Sequence, residues 1–204
     1  MIAQKLKIEK SDYYKIKSVI SDTDSKSFYP KLMDRYNKSD TTLTKDEFRL
    51  LYYGFLFQDS YSSNGQSKFI DSLRKVMNKK SLSTSDNDTL IKYEKLVLKE
   101  FPFNLIDLKI LAFAYQQKED IDSAKLVNFK LNKLVGTILS TGDGQKEKTA
   151  WHIISVGHGY YILNFLGFKF GGDQSLTNKG CDYFKVQNNK YGIKGFYFYV
   201  NKIL

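Results

Sequence analysis

Residues 101–140 contain two runs in which apolar residues recur every three or four positions, the period of an amphipathic helix. The apolar positions of the first run are Leu105, Leu108, Leu111, Ala112 and Tyr115. Those of the second run are Ala124, Val127, Leu131, Leu134, Val135 and Ile138. Because only the polar residues 117–120 separate the two runs, the segment predicts two antiparallel helices joined by a short turn.

The chain before this pair also has the pattern of helices. Thr44 and Glu47 have the spacing of a capping box, which predicts a helix over residues 45–58. Gly54 lies inside that helix and indicates the close approach of a neighbouring helix. Other predictions are a first helix containing Tyr13, Ile16 and Ile20, helices over residues 31–36, 67–79 and 85–100, and a turn at Asn64-Gly65.

After Gly142-Asp143-Gly144 the pattern changes to that of strands. Strands are predicted over residues 150–156, 160–165, 181–186 and 195–200, with Gly157-His158-Gly159 as the turn between the first two. The predicted fold is therefore α+β, with an N-terminal helical layer followed by an antiparallel β-meander of about four strands packed on it. We divide it into residues 1–27, an N-terminal helix and polar segment, residues 28–144, the helical region, and residues 145–204, the sheet region, in a single globular unit.

Two family resemblances follow from these blocks. The spacing of Leu108, Leu111, Ala112, Tyr115 and Ala124 resembles that of a tetratricopeptide repeat, which implies tetratricopeptide-like helix hairpins. The blocks FYPKLMDRY, DTTLTKDEFRLLYYGFLFQ, STGDG, WHIISV, CDYFKV and YGIKGFYFYV together resemble family 4919 of the domains of unknown function, which is found in envelope proteins of gut Bacteroidetes. This second resemblance covers most of residues 28–204.

The second resemblance implies an address more than an activity. Members resemble exported proteins with a cleaved leader, so Ala3-Gln4 would be the remnant of a signal-peptidase cut and the protein would be periplasmic or secreted. The alternative is an ordinary cytoplasmic N-terminus. The resemblance implies no activity, cofactor or catalytic residue.

The formal net charge is +10, and lysine carries nearly all of the positive charge because arginine occurs only at Arg35, Arg49 and Arg74. Arginine makes the bidentate contacts by which proteins bind phosphates and bases, whereas dispersed lysine is ordinary solubilising surface. We therefore predict no nucleic-acid partner, and a nucleic-acid binder is a third hypothesis that rests on charge alone. No apolar run reaches the roughly 18 residues of a membrane span, so none is predicted.

Cys181 is the single cysteine, and it forms an enzyme hypothesis together with His158 or His152. A thiol and an imidazole within hydrogen-bond reach would make a cysteine-dependent hydrolase or transferase. No catalytic signature accompanies them, and we interpret His152 as a satisfied sheet residue. One cysteine and two histidines are a poor zinc set, so we predict no metal and no cofactor.

Tyrosines gather in the predicted sheet, and the candidates for binding are Tyr160, Tyr183, Tyr197 and Tyr199. Flat rings with a polar tip are suited to sugar stacking and to protein contact. The alternative is that these rings cover the sheet or pack on the helices. The sequence therefore favours a non-enzymatic extracytoplasmic binding or interaction module, with a protein or glycan partner in the cell envelope.

Overall fold

The computed structural model of the protein describes residues 8–9, 11–62 and 67–200. The predictions for Ala3-Gln4 and Asn64-Gly65 lie outside these residues. The described helices are α1 (Tyr13–Ser21), α2 (Tyr29–Asn37), α3 (Lys45–Gly54), α4 (Ile70–Met77), α5 (Thr84–Glu100), α6 (Leu105–Gln117), α7 (Ile121–Leu139) and α8 (Val156–Phe165). Short 3₁₀ turns at Phe55–Phe57 and Glu147–Thr149 complete the helical elements of the described chain.

The strands are β1 (Trp151–Ile153), β2 (Phe170–Leu176), β3 (Asp182–Val186) and β4 (Gly195–Val200), in the order β1-β4-β3-β2. Strands β2, β3 and β4 form an antiparallel meander, whereas β1 pairs in parallel with β4. The predicted α+β class is confirmed, but the prediction of a wholly antiparallel sheet is wrong. The sheet is mixed because β1 enters it along the same direction as its neighbour.

The predicted return strand over residues 160–165 is also wrong, since these residues belong to α8 together with the predicted turn at 157–159. The buried positions of α8 are His158, Gly159, Ile162 and Leu163, which follow a helical period. Strands β1 and β2 run in the same direction, so a crossover must join them, and α8 is that crossover. Helix α8 packs closely on the Phe184 ring of β3 because Gly159 has no side chain; a Cβ there would lie 2.8 Å from that ring.

Local capping explains where the long helices begin. The predicted capping box of α3 is confirmed: the Thr44 side chain accepts from the Glu47 N–H, and the Glu47 carboxylate accepts from the Thr44 N–H. Helix α5 begins at Thr84, one residue before the predicted range of 85–100, because Ser83 is its N-cap. Helices α6 and α7 begin after Asn104 and Asp120, whose side chains accept hydrogen bonds from backbone N–H groups of the first turn.

Helices α6 and α7 confirm the predicted helix pair, and the rest of the core is built around them. The principal core contains side chains from α1, α2, α3, α6, α7, α8 and the sheet, so the helical and sheet regions share it. Gly54 occupies a tight place in this core, where a Cβ would lie 3.0 Å from both Ile20 of α1 and Tyr29 of α2. In β4 the buried positions alternate with half-buried ones, so Phe196 and Phe198 face the core while Tyr197 and Tyr199 face away.

Candidate functional site

A cleft of about 520 Å³ opens between α2, α5, α6 and α7. Its floor is formed by Leu108, Leu111 and Tyr115 of α6, which lie on one helix face because of their spacing. Tyr36 of α2 also lines the cleft and is held in place by donating its hydroxyl proton to the Pro102 carbonyl at 2.9 Å. The cleft is therefore an apolar trough with a rigid aromatic side.

Three lysines line this trough, and we call it the lysine cleft. Lys95 and Lys99 are four residues apart on α5, and Lys130 belongs to α7. The Lys130 ammonium lies 4.6 Å from the centre of the Tyr36 ring, and the Lys95 ammonium lies 5.4 Å from the centre of the Tyr115 ring. Both are cation–π contacts, which position an ammonium group without neutralising its charge.

No described carboxylate forms an ion pair with these three lysines, although Asp120 is near enough to Lys95 that the ammonium, after the hydrogen bonds from Ser123, helps to lower the pKa of that carboxyl. Among the described residues that line the cleft there is no Asp or Glu. Elsewhere in the described chain, lysines do form ion pairs, but Lys95, Lys99 and Lys130 form none within 4.0 Å. Burial lowers the pKa of Lys130 to about 8, because a desolvated ammonium is disfavoured. The cleft therefore carries positive charge that no ion pair among the described residues neutralises, beside an apolar floor.

Cys181, the predicted nucleophile, is buried just before β3. Its Sγ atom lies 3.9 Å from the Glu147 carbonyl oxygen, a weak hydrogen bond. Burial raises the pKa of the thiol, and the negative charges of Glu147 and Asp182 raise it further. Such surroundings favour the neutral thiol over the reactive thiolate.

The two histidines lie against tyrosines of the helical region. His158 is in α8, where its Nδ1 is hydrogen-bonded to the Tyr52 hydroxyl at 2.6 Å, and burial lowers the pKa of this imidazole to about 3. His152 is in β1, with its Nδ1 2.9 Å from the Tyr13 hydroxyl. Among the hydrogen bonds of the described residues, none joins the Cys181 thiol to either imidazole.

The four candidate tyrosines do not form one surface. Tyr183 and Tyr197 are cross-strand neighbours on the outward face of the sheet, with ring centres 4.9 Å apart. Tyr199 follows on the same face, where its ring centre lies 5.0 Å from that of His152. Tyr160 belongs to α8 and not to a strand. Its ring centre lies 4.7 Å from that of Phe184, which is on the core face of the sheet. The structure thus brings three of the four together.

Comparison with known proteins assigns the chain to a family. The model of the family DUF4919, a domain of unknown function, matches residues 14–204. The chain belongs to this family. No curated protein and no solved structure matches it significantly.

The DUF4919 match spans all the helices and strands described above except the first residue of α1. Within the described residues, no three His, Cys, Asp or Glu side chains are grouped so that they could hold a metal ion. None of the described helices is long and apolar enough for a membrane span.

Sequence reasoning missed two features of the DUF4919 domain. The first is the lysine cleft, whose lysines are unremarkable in a lysine-rich chain until α5 and α7 are placed on either side of α6. The second is Glu94 of α5, which is fully buried and whose two carboxyl oxygens have no hydrogen-bond partner. Burial raises the pKa of Glu94 to about 9, and the nearby charge of Asp107 adds to the shift. The sequence held a signal for this burial, because Glu94 lies at helical spacing between Leu90 and Val97, which are both core residues.

Proposed function

We propose that this protein is a non-enzymatic binding module whose binding site is the lysine cleft. The observation that carries the proposal is the set of three lysines around an apolar floor, none of them in an ion pair with a described carboxylate and with no Asp or Glu lining the cleft. A cation partly removed from water gains more from an opposite charge than an exposed one does. An organic anion with an apolar part would satisfy both the ammonium groups and the floor.

Binding is favoured over catalysis because the candidate nucleophile is poorly placed for reaction. A cysteine-dependent hydrolase or transferase needs a thiolate beside a base. Cys181 is buried with a raised pKa, and its thiol contacts a carbonyl oxygen. We expect Cys181 to be alkylated slowly by iodoacetamide at neutral pH in the native state and rapidly after denaturation. Rapid alkylation of the native thiol would favour the enzyme hypothesis.

The proposal includes a location outside the cytoplasm, which is supported by the resemblance of the sequence blocks to exported envelope proteins. The partner would then be an envelope component, and the protein-partner alternative agrees better with the charged cleft than a neutral glycan does. Fractionation of the native cells, with an antibody against this chain, tests the location. Recovery in the cytoplasmic fraction alone would contradict it.

Binding of an anionic aromatic probe tests the cleft directly. We expect the fluorescent anion anilinonaphthalene sulfonate to bind the folded protein. The triple variant K95Q/K99Q/K130Q should bind it about tenfold more weakly, because each lost ammonium removes a charge-assisted contact. The matched control is K92Q/K125Q/K185Q, which removes three lysines outside the cleft on α5, α7 and β3. Equal weakening in both variants would mean that net charge, and not the cleft, attracts the probe.

A further inference from the structure

We infer that the lysine cleft takes an extended acidic segment of a partner protein, in which one large apolar side chain lies between two carboxylates. This inference rests on the proposed function and names the chemical class of its ligand. The length of the floor, the arrangement of charge and the shape of an extended chain lead to it.

The floor of the cleft has the length of a short peptide segment. Leu108 and Tyr115 mark its ends and are seven residues apart on α6, which corresponds to about 10 Å at the helical rise per residue. An extended chain advances about 3.3 Å per residue, so about three residues span the floor. A segment of about three residues therefore matches the length of this floor.

Positive charge lies on both sides of that floor. Lys95 and Lys99 are on α5, Lys130 is on α7, and α6 packs against both helices. Successive side chains of an extended chain point in opposite directions. When a central side chain points to the floor, its two neighbours point to the rim, where the ammonium groups of Lys95 and Lys99 are exposed. Carboxylates at both neighbouring positions would therefore meet lysines while the apolar residue covers Leu108 and Leu111.

The surroundings of Lys130 also favour a carboxylate ligand. Lys130 is half-buried and its ammonium lies over the Tyr36 ring of α2, and the other ionisable side chains that line the cleft are Lys95 and Lys99 of α5 and Tyr115 of α6. No carboxylate is among these lining residues, and burial raises the pKa of Tyr36 further above its ordinary value, so its hydroxyl stays neutral. A bound carboxylate would raise the lowered pKa of Lys130, so binding near pH 8 should be accompanied by proton uptake.

A nucleic acid fits the same cleft less well. Phosphate and base recognition usually depends on arginine forks, and the described residues that line this cleft include no arginine. The floor accommodates one large apolar group over a short length, whereas a nucleic-acid strand would need a longer charged track. Nucleic-acid binding is therefore an outcome that the experiment must distinguish.

Titration calorimetry of the whole protein with blocked synthetic peptides tests the inference. The probe peptide is Gly-Glu-Leu-Glu-Gly, compared with Gly-Gln-Leu-Gln-Gly and Gly-Glu-Gly-Glu-Gly. We expect each comparison peptide to bind about tenfold more weakly, because one lacks the charges and the other lacks the apolar contact. With the probe peptide, K130Q should lose about tenfold in affinity, K130R should retain most of it, and K125Q on the same helix should be unchanged.

The outcomes separate this inference from the proposed function. Equal affinity for the glutamate and glutamine peptides would overturn the inference, as would tighter binding of a single-stranded oligonucleotide than of the probe peptide. If anilinonaphthalene sulfonate binds the cleft and no peptide does, the peptide inference fails while the binding module stands. If neither the aromatic anion nor any peptide binds, both proposals fail.

Discussion

The junction between the helices and the sheet differs from the layer formed by α4, α5 and α6 in how each treats its buried polar groups. At the junction, the Tyr52 hydroxyl accepts a hydrogen bond from the Ile154 N–H at 3.3 Å and is also hydrogen-bonded to His158 Nδ1 at 2.6 Å. In the other layer, Glu94 is equally buried, but its carboxyl oxygens have no partner. A satisfied polar network fixes one arrangement of a core, whereas an unsatisfied carboxyl destabilises it.

Because of this difference, the stability of the two regions changes with pH in opposite directions. Burial lowers the pKa of His158 to about 3, so the unfolded chain takes up a proton first and the junction loses stability as the pH falls below about 6.5. The pKa of Glu94 is raised to about 9, so the folded chain retains its proton longer. The helical layer therefore loses stability as the pH rises from about 4.5 towards 9.

The largest expected effect comes from breaking the junction at Trp151. Its ring stacks on Phe196 with centres 5.1 Å apart, and its indole N–H donates to the Gly142 carbonyl at 2.9 Å. We expect W151A to lower the free energy of unfolding by about 3–5 kcal/mol, because it leaves a cavity and an unpaired carbonyl. Urea unfolding measures this. The control L176A, at an exposed position of the same sheet, should change it by about 0.5 kcal/mol or less.

Removing one hydroxyl at the junction should have a smaller effect. In Y52F the buried His158 Nδ1 and the Ile154 N–H both lose their partner, so we expect a loss of about 1–3 kcal/mol in the free energy of unfolding. The control Y14F removes a hydroxyl at an exposed position of α1 and should cost nothing measurable. A loss in Y52F no larger than that in Y14F would mean that this network contributes little to stability.

The buried Glu94 carboxyl should make stability fall as the pH rises. As the pH rises from about 6.5 to 8, the raised pKa of Glu94 should lower the free energy of unfolding by about 2 kcal/mol, at 1.4 kcal/mol per pH unit. The pKa of Asp107 is raised only to about 6, so its contribution is complete below this range. We expect E94Q to abolish the slope in urea unfolding, whereas E119Q, at an exposed carboxylate, should retain it. A slope that persists in E94Q would contradict this assignment.

How much of this could be predicted from the sequence depends on whether the signal is local. The capping box at Thr44 is contained within four residues and was predicted correctly. The α8 segment is rich in β-branched and aromatic residues, which favour a strand, but in the structure it is a helix that packs closely on Phe184 at Gly159. The lysine cleft could not be predicted, because Lys95 and Lys130 are far apart in sequence. They line the same cleft only because α5, α6 and α7 pack together.

The smallest expected effect is on the outward face of the sheet, where aromatic rings cover strands without being buried in a core. Tyr183 and Tyr197 are directly opposite each other, and cross-strand pairs of this kind contribute about 0.2–1 kcal/mol. We expect Y183T and Y197T each to cost an amount in this range, and the double variant to cost less than the sum of the two. Urea unfolding of the four proteins gives the coupling, with K185T on the same strand as the control. A coupling energy above about 2 kcal/mol would mean that this face is a second core, in which case the tyrosines would be structural and unsuited to binding a partner.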